Sequence, residues 1–259
     1  MPELKIGIQL KSLRQPFRQA LETARSLGAT AVEIDARNDV RPQEMTGTAL
    51  RQLRKTLEDL NLKVCAVSYQ THRGYDVDED LSRRVEGTKA AMRLAHDLGA
   101  GVVINQIGRV PAEPSGSSWN MLLEVLTDLG RHGEHVGALL AARTGRESGE
   151  DLARLIHALP AGMVGVDFDP GNLIINGFSA TSSLEPLSSH VLHVHAKDGV
   201  RDLAIGRGLE VPLGRGSADF PRLLGMLEER GYRGYFTLER SGENALFEIS
   251  QGVKYLKSL

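Results

Sequence analysis

Eight short runs rich in Val, Ile and Leu, separated by longer helical patterns, constrain this chain more than any other feature. The runs are LKIGIQL, TAVEIDA, LKVCAVSY, GVVINQIG, HVGALLAAR, MVGVDFD, HVLHVHAKD and GYFTLER. Between them apolar residues recur at helical spacing, as at Phe17, Ala20, Leu21, Ala24 and Leu27, or at Val85, Thr88, Met92 and Ala95. Two helices stop in the same way, in SLGATAVEI and DLGAGVVI, where Leu-Gly-Ala closes the helix and a strand begins within three residues. Strands that alternate with helices predict a parallel sheet. Eight such units in 259 residues, with no Pro/Gly/Ser-rich linker and no charge block, predict one α/β domain over residues 1–259 closed as a (β/α)8 barrel. An open doubly wound sheet is the alternative, because strand order is not written in a sequence.

Charge and composition narrow the partners. Lys and Arg number 31 against 33 Asp and Glu, a net charge of −2, which argues against a basic nucleic-acid-binding face. No apolar run approaches the roughly 18 residues of a membrane span. The N-terminal MPELKIGIQLKSLRQPF enters strand-like sequence directly, without a signal-peptide core. The single cysteine, Cys65, excludes an intramolecular disulfide and reads as a buried strand residue. A cytoplasmic protein with no nucleic-acid and no membrane partner is expected.

In a parallel barrel the chemistry sits at the C-terminal ends of the strands. Four strands end on polar residues in a regular way: Arg143 on the fifth, Asp169 on the sixth, His195 on the seventh and Glu239 on the eighth, at separations of 26, 26 and 44 residues. Residues two apart share a strand face. Gly137, Leu139 and Ala141 therefore lie below Arg143, Val191 and His193 below His195, and Tyr235 and Thr237 below Glu239. Asp169, His195 and Glu239 offer carboxylate oxygens and an imidazole nitrogen, a set that suits Mn²⁺, Co²⁺, Zn²⁺ or, less well, Mg²⁺. Each alone reads equally as a satisfied polar strand end; together they indicate a metal or catalytic site. The longest irregular stretch, 197–219, follows the seventh strand, and a loop of that length in a compact domain is usually functional.

Four blocks carry a resemblance: VGVDFDPGNLI, HVLHVHAKD, VPLGRGSADFPRLLGMLEERGYRGYFTLER and the opening KIGIQLKSLRQPF. In this order they resemble the xylose isomerase-like TIM barrels, the sugar phosphate isomerase and epimerase family. The resemblance implies metal-assisted proton transfer on a small polyhydroxylated carbonyl compound, a sugar or sugar phosphate, and barrels that often associate as homo-oligomers. It implies Asp169, His195 and Glu239 as three of four metal ligands. The fourth would be a glutamate in a block like L-A-x-E-T-G, where this chain has LAARTG and places Arg143.

A guanidinium cannot act as a base at neutral pH, and at 4 Å its repulsion of another cation is worth about 4 kcal/mol per unit of charge product at an effective dielectric of 20. Arg143 therefore turns outward beside a three-ligand metal, replaces the metal by bridging Asp169 and Glu239, or binds an anionic substrate. Glu239, Lys197 and Arg143 are the candidate catalytic residues, Lys197 as a holder of a substrate oxygen. Glu33, His72, Asn105, Arg201 and Arg207 are candidates for substrate binding: the first and third as strand-end polar groups, His72 as a proton shuttle. Arg201, Arg207 and Arg215 lie where many barrels hold a phosphate. His193 reads as a core or ligand-orienting histidine, Asp198 as a turn residue and Asp219 as a helix cap. The alternative to an isomerase or epimerase is a catalytically degenerate barrel that binds a carbohydrate or metabolite without metal.

Overall fold

The computed structural model describes residues 3–201 and 208–259. Eight parallel strands close into a barrel in the order β1 (Lys5–Gln9), β2 (Ala31–Asp35), β3 (Lys63–Ser68), β4 (Val102–Asn105), β5 (Leu139–Arg143), β6 (Val164–Phe168), β7 (Val191–Ala196) and β10 (Tyr235–Leu238), with β10 pairing back onto β1. The closed order removes the open-sheet alternative. Around the barrel run α1 (Phe17–Ser26), α2 (Gly47–Asp59), α3 (Leu81–Asp97), α4 (Ser117–Val136), α5 (Gly149–Ala158), α6 (Pro170–Ile175), α7 (Ala180–Leu187), α8 (Phe220–Glu229) and α9 (Ala245–Ser258). Part of the long stretch after β7 forms a short antiparallel hairpin, β8 (Asp198–Val200) with β9 (Leu209–Val211).

Local chemistry explains the boundaries. The Leu-Gly-Ala stops work as expected: Leu27 and Leu98 close α1 and α3, and Gly28 and Gly99 follow at φ 90° and 76°, the left-handed region that a side chain disfavours. Thr46, Ser148, Asp169, Ser179 and Asp219 each accept a hydrogen bond from a first-turn N–H and start α2, α5, α6, α7 and α8. One run needs correction. HVGALLAAR is not all strand: α4 extends to Val136 and Gly137, at φ 87°, is its cap, so β5 begins at Leu139.

The apolar core is a ring between the strands and the helices. Ala20, Leu21 and Ala24 of α1 are buried against it, and each leucine so buried contributes about 1.5–3 kcal/mol. Among the described residues, Ala66, Ile104 and Ala141 form a small apolar cluster inside the barrel. The rest of the interior near the C-terminal end is polar and fully enclosed: Glu33, Asp167, Asp169, His195 and Thr237 are all 0% exposed. A charged barrel interior is costly unless its charges compensate one another.

Candidate active site

The compensation centres on Arg143. Its Nε and Nη2 donate to Asp169 Oδ2 at 3.1 and 2.5 Å, and Nη2 also donates to Glu239 Oε2 at 2.5 Å. A third carboxylate, Asp167, lies below with Oδ2 3.8 Å from Nε. Burial on its own would lower the Arg143 pKa, but Glu239, Asp169 and Asp167 outweigh it and hold the guanidinium well above its usual range. Of the three orientations open to Arg143, the structure adopts the bridge between Asp169 and Glu239.

Asp167 is the hub beneath. It precedes Asp169 by two residues and so shares its inward face, with a register shift between Val166 and Asp167 where β6 meets β7. Its carboxylate accepts from His193 Nδ1 at 2.8 Å and from His195 Nδ1 at 2.9 Å. Burial would raise its pKa, but the two imidazoles, His195 first, pull it far below the carboxylate range. His193 Nε2 in turn meets the Thr237 hydroxyl at 2.8 Å, and Thr237 meets Cys65 Sγ at 3.4 Å.

His195 lies between two carboxylates. Against the effect of burial, Asp167 raises its pKa to about 10, with a smaller contribution from Glu33. Its Nε2 is 2.8 Å from Glu33 Oε2, close enough for an ion pair but outside hydrogen-bond geometry, and neither atom has a hydrogen-bond partner among the described residues. Glu33 is held below its ordinary pKa by His195, despite burial. Gln9, at the end of β1, ties the two sides together by donating to Glu33 Oε1 at 3.0 Å and to Glu239 Oε2 at 3.3 Å.

Glu239 stands just past β10 and Lys197 just past β7. Lys197 Nζ donates to Glu239 Oε1 at 3.3 Å and to Asn172 Oδ1 at 3.1 Å, with Glu210 at 3.7 Å. Burial opposes ionisation of Glu239, yet Arg143 first, then Lys197 and His195, hold it well below the carboxylate range. Glu239 lines a cavity of about 260 Å³ at the barrel mouth, shared with Gln9, Ser12, Asp35, Ser68 and Gln70. A larger hollow of about 440 Å³ between α7 and α8, lined by Ser182, Arg222 and Met226 among others, lies outside the barrel and away from these charges.

By spacing of donor atoms, two groups of side chains could hold a metal ion: Asp169, His195 and Glu239, and Glu33, His193 and His195. The first does not fit a divalent ion as arranged. Arg143 Nη2 already lies 2.5 Å from each of the two oxygens that such an ion would bridge. In the second, His193 is bonded at both ring nitrogens, to Asp167 and Thr237, whereas His195 Nε2 and Glu33 Oε2 face each other at 2.8 Å without hydrogen-bond partners among the described residues.

The other candidates fall in different places. Asn105 is fully buried and spends its amide on neighbours, accepting from Thr71 N–H and Gln106 N–H and donating to the Tyr75 hydroxyl at 2.8 Å. It braces the loop after β3. His72 is exposed on that loop, and Arg201 is exposed at the end of the β8 strand; Arg207 lies outside the described residues. Glu33 is enclosed beneath the cavity beside His195 and Gln9. Asp198 is structural, accepting from the N–H groups of Gly199, Gly214, Gly216 and Ala218 at 2.8–3.1 Å and so folding the following loop. Sequence reasoning passed over Gln9, Asn172, Glu210 and above all Asp167, which the period-two rule applied to Asp169 would have found.

The comparisons agree with this architecture. The xylose isomerase-like TIM barrel model matches residues 21–259. The chain belongs to that family. Among curated relatives of this family member is an inosose dehydratase of Bacillus thuringiensis (strain Al Hakam), 24% identical over 224 residues that cover 75% of this chain and 74% of the relative. A xylose isomerase domain protein from Planctomyces limnophilus superposes with a TM-score of 0.87 at 24% identity, covering 99% of this chain and 97% of its own. A xylose isomerase-like TIM barrel protein from Mycobacterium smegmatis, solved in complex with magnesium, gives 0.78 at 18% identity, over 100% and 98% of the two chains. At these identities the structural likeness establishes the fold. No helix among the described residues is long and apolar enough to cross a membrane.

Proposed function

We propose that this family member acts on a small polyhydroxylated carbonyl compound, moving a proton at the carbon beside the carbonyl as an isomerase or epimerase does. One observation carries the reading: Glu239, which lines the mouth cavity together with Asp35, has two fixed cations against it, Arg143 at 2.5 Å and Lys197 at 3.3 Å. The cavity wall supplies amide and hydroxyl groups from Gln9, Ser12, Ser68 and Gln70, the chemistry that recognises sugar hydroxyls. The inosose dehydratase relative bears a name of the same substrate class.

In this reading Glu239 takes the α-proton while Lys197 and Arg143 stabilise the negative charge that develops on the carbonyl oxygen. In the free protein those cations make Glu239 a weak base. A substrate oxygen that draws part of their field toward itself raises the basicity of Glu239 as charge accumulates. These ion pairs thus become the electrostatic stabilisation of the enediolate.

A second reading, binding without turnover, is favoured by the same depressed basicity. Incubating the protein in D₂O with ketoses, inososes and their phosphates, and following the α-proton by NMR while binding is measured by calorimetry, separates the two. Exchange lost in Glu239→Gln supports proton transfer. Binding without exchange leaves the carbohydrate-binding barrel, and neither binding nor exchange across the panel overturns the reading.

A further inference from the structure

Two fully buried carboxylates and a third, Glu239, that is 14% exposed converge on one guanidinium. Asp169 takes Nε and Nη2, Glu239 takes Nη2, and Asp167 supports Nε from below at 3.8 Å. Arg143 has 3% of its side chain exposed, Asp167 and Asp169 none. This is a receptor for a planar cation, with a forked contact on one carboxylate and a bridge to a second.

The same receptor sits on donor atoms spaced for a metal. Ligand atoms of Asp169, His195 and Glu239 lie within 4.8 Å of one another, and the guanidinium nitrogen occupies the space between two of them. With Glu33, four enclosed or nearly enclosed carboxylates face this region, an arrangement that cannot stand without a cation.

We infer that Arg143 is the resident cation of this site, a covalently attached replacement for a divalent ion, and that Asp167 is the positioning residue that seats it. Asp167 does this from two sides. Its carboxylate lies 3.8 Å from Arg143 Nε, and it accepts from Nδ1 of both His193 and His195, which fixes the His195 ring with Nε2 2.8 Å from Glu33 and 3.4 Å from Glu239. The inference concerns the cation alone and holds whether or not the substrate is a sugar.

The test is a comparison of wild-type protein with Arg143→Glu, both freed of metal by chelator and titrated with MnCl₂ or ZnCl₂. Melting temperature and bound metal per chain are the readouts. The wild type is expected to bind no ion at the barrel mouth and to melt at the same temperature with and without metal. Arg143→Glu replaces the cation with a fifth carboxylate; it is expected to melt lower when stripped, to take up one ion per chain, and to regain about 5–10 °C at a hundredfold excess over Kd. Stoichiometric tight binding by the wild type overturns the inference, as does a folded Arg143→Glu that takes up none. Should Arg143→Glu fail to fold even with metal, Arg143→Gln serves instead, and it must bind Mn²⁺ at least tenfold more tightly than the wild type or the inference fails. For Asp167, the Arg143 Nε–H resonance, bonded to Asp169, reports how firmly the guanidinium is seated: slow hydrogen exchange in the wild type, and exchange at least tenfold faster in Asp167→Asn at temperatures where both are folded. Equal protection in the two proteins removes Asp167 from the role.

Discussion

The two halves of the barrel use polar strand ends in opposite ways. Beyond β5, β6, β7 and β10 the side chains of Arg143, Asp169, Lys197 and Glu239 reach toward one another across the mouth. Beyond β2 and β4, Asp35 and Asn105 turn to their own loops: Asp35 accepts from the N–H groups of Arg37 and Asn38, and Asn105 anchors the loop at Thr71 and Tyr75. Position at the end of a strand therefore does not make a residue part of the site. What matters is whether nearby backbone donors have already claimed its polar atoms. Gln9 and Glu33 are the first half's links to the charge cluster, while Ser12, Asp35, Ser68 and Gln70 supply the cavity wall.

The contrast can be broken most directly at Arg143. Removing the shared cation in Arg143→Met leaves buried Asp169 without its guanidinium and Glu239 with Lys197 as its hydrogen-bonded cation, and a loss of about 3–5 kcal/mol is expected by urea unfolding. A loss under about 1 kcal/mol would show that the second half is not one electrostatic unit. Asp198→Ala comes next. It deprives four backbone N–H groups of their acceptor, so a destabilisation of about 2–3 kcal/mol is expected, with the loop before α8 exchanging amide protons faster. In the first half, Asn105→Ala should cost about 1–3 kcal/mol in stability while leaving ligand affinity and α-proton exchange within about twofold. A large loss of exchange at unchanged stability would move Asn105 into the site and erase the contrast.

The smallest effect concerns Glu147, which follows β5 yet joins neither arrangement. It is buried, its Oε2 has no hydrogen-bond partner among the described residues, and burial raises its pKa to about 8, with Arg146 opposing and Asp151 and Asp76 adding. Its folded pKa lies above the unfolded value of 4.5, so the native state holds the extra proton. Stability from this group is fully present below about pH 4.5, declines as pH rises through about 8, and levels off above that. Glu147→Gln should therefore be more stable than the wild type at pH 8.5 by at least about 1 kcal/mol, and equal to it near pH 4. A constant difference across that range would assign the gain to packing instead.

Much of this was legible in the sequence. Eight apolar runs and repeated Leu-Gly-Ala stops specify the barrel, because periodicity and the left-handed glycine are local properties. Arg143, Asp169, His195 and Glu239 were legible as a convergent set, since parallel strands of one barrel deliver equivalent positions to one mouth. The direction of Arg143 was not: it depends on Asp169 and Glu239, 26 and 96 residues away. The fate of Asn105 was hidden for the same reason, its partner Tyr75 lying 30 residues earlier. Gln9 carries no charge and left no signal, whereas Asp167 was visible in VGVDFDPGN and obscured only by the better-placed carboxylate beside it.

A cation carried on β5 has one further property, which concerns supply. A metal ion has to be captured from a shared pool, can be stripped by a chelator, and can be displaced by a tighter-binding competitor. The guanidinium arrives with the chain, one per site, as soon as β5, β6 and β10 are assembled. If Arg143 is the site's resident cation, as inferred above, occupancy is set by folding alone and does not vary with the ions around the protein.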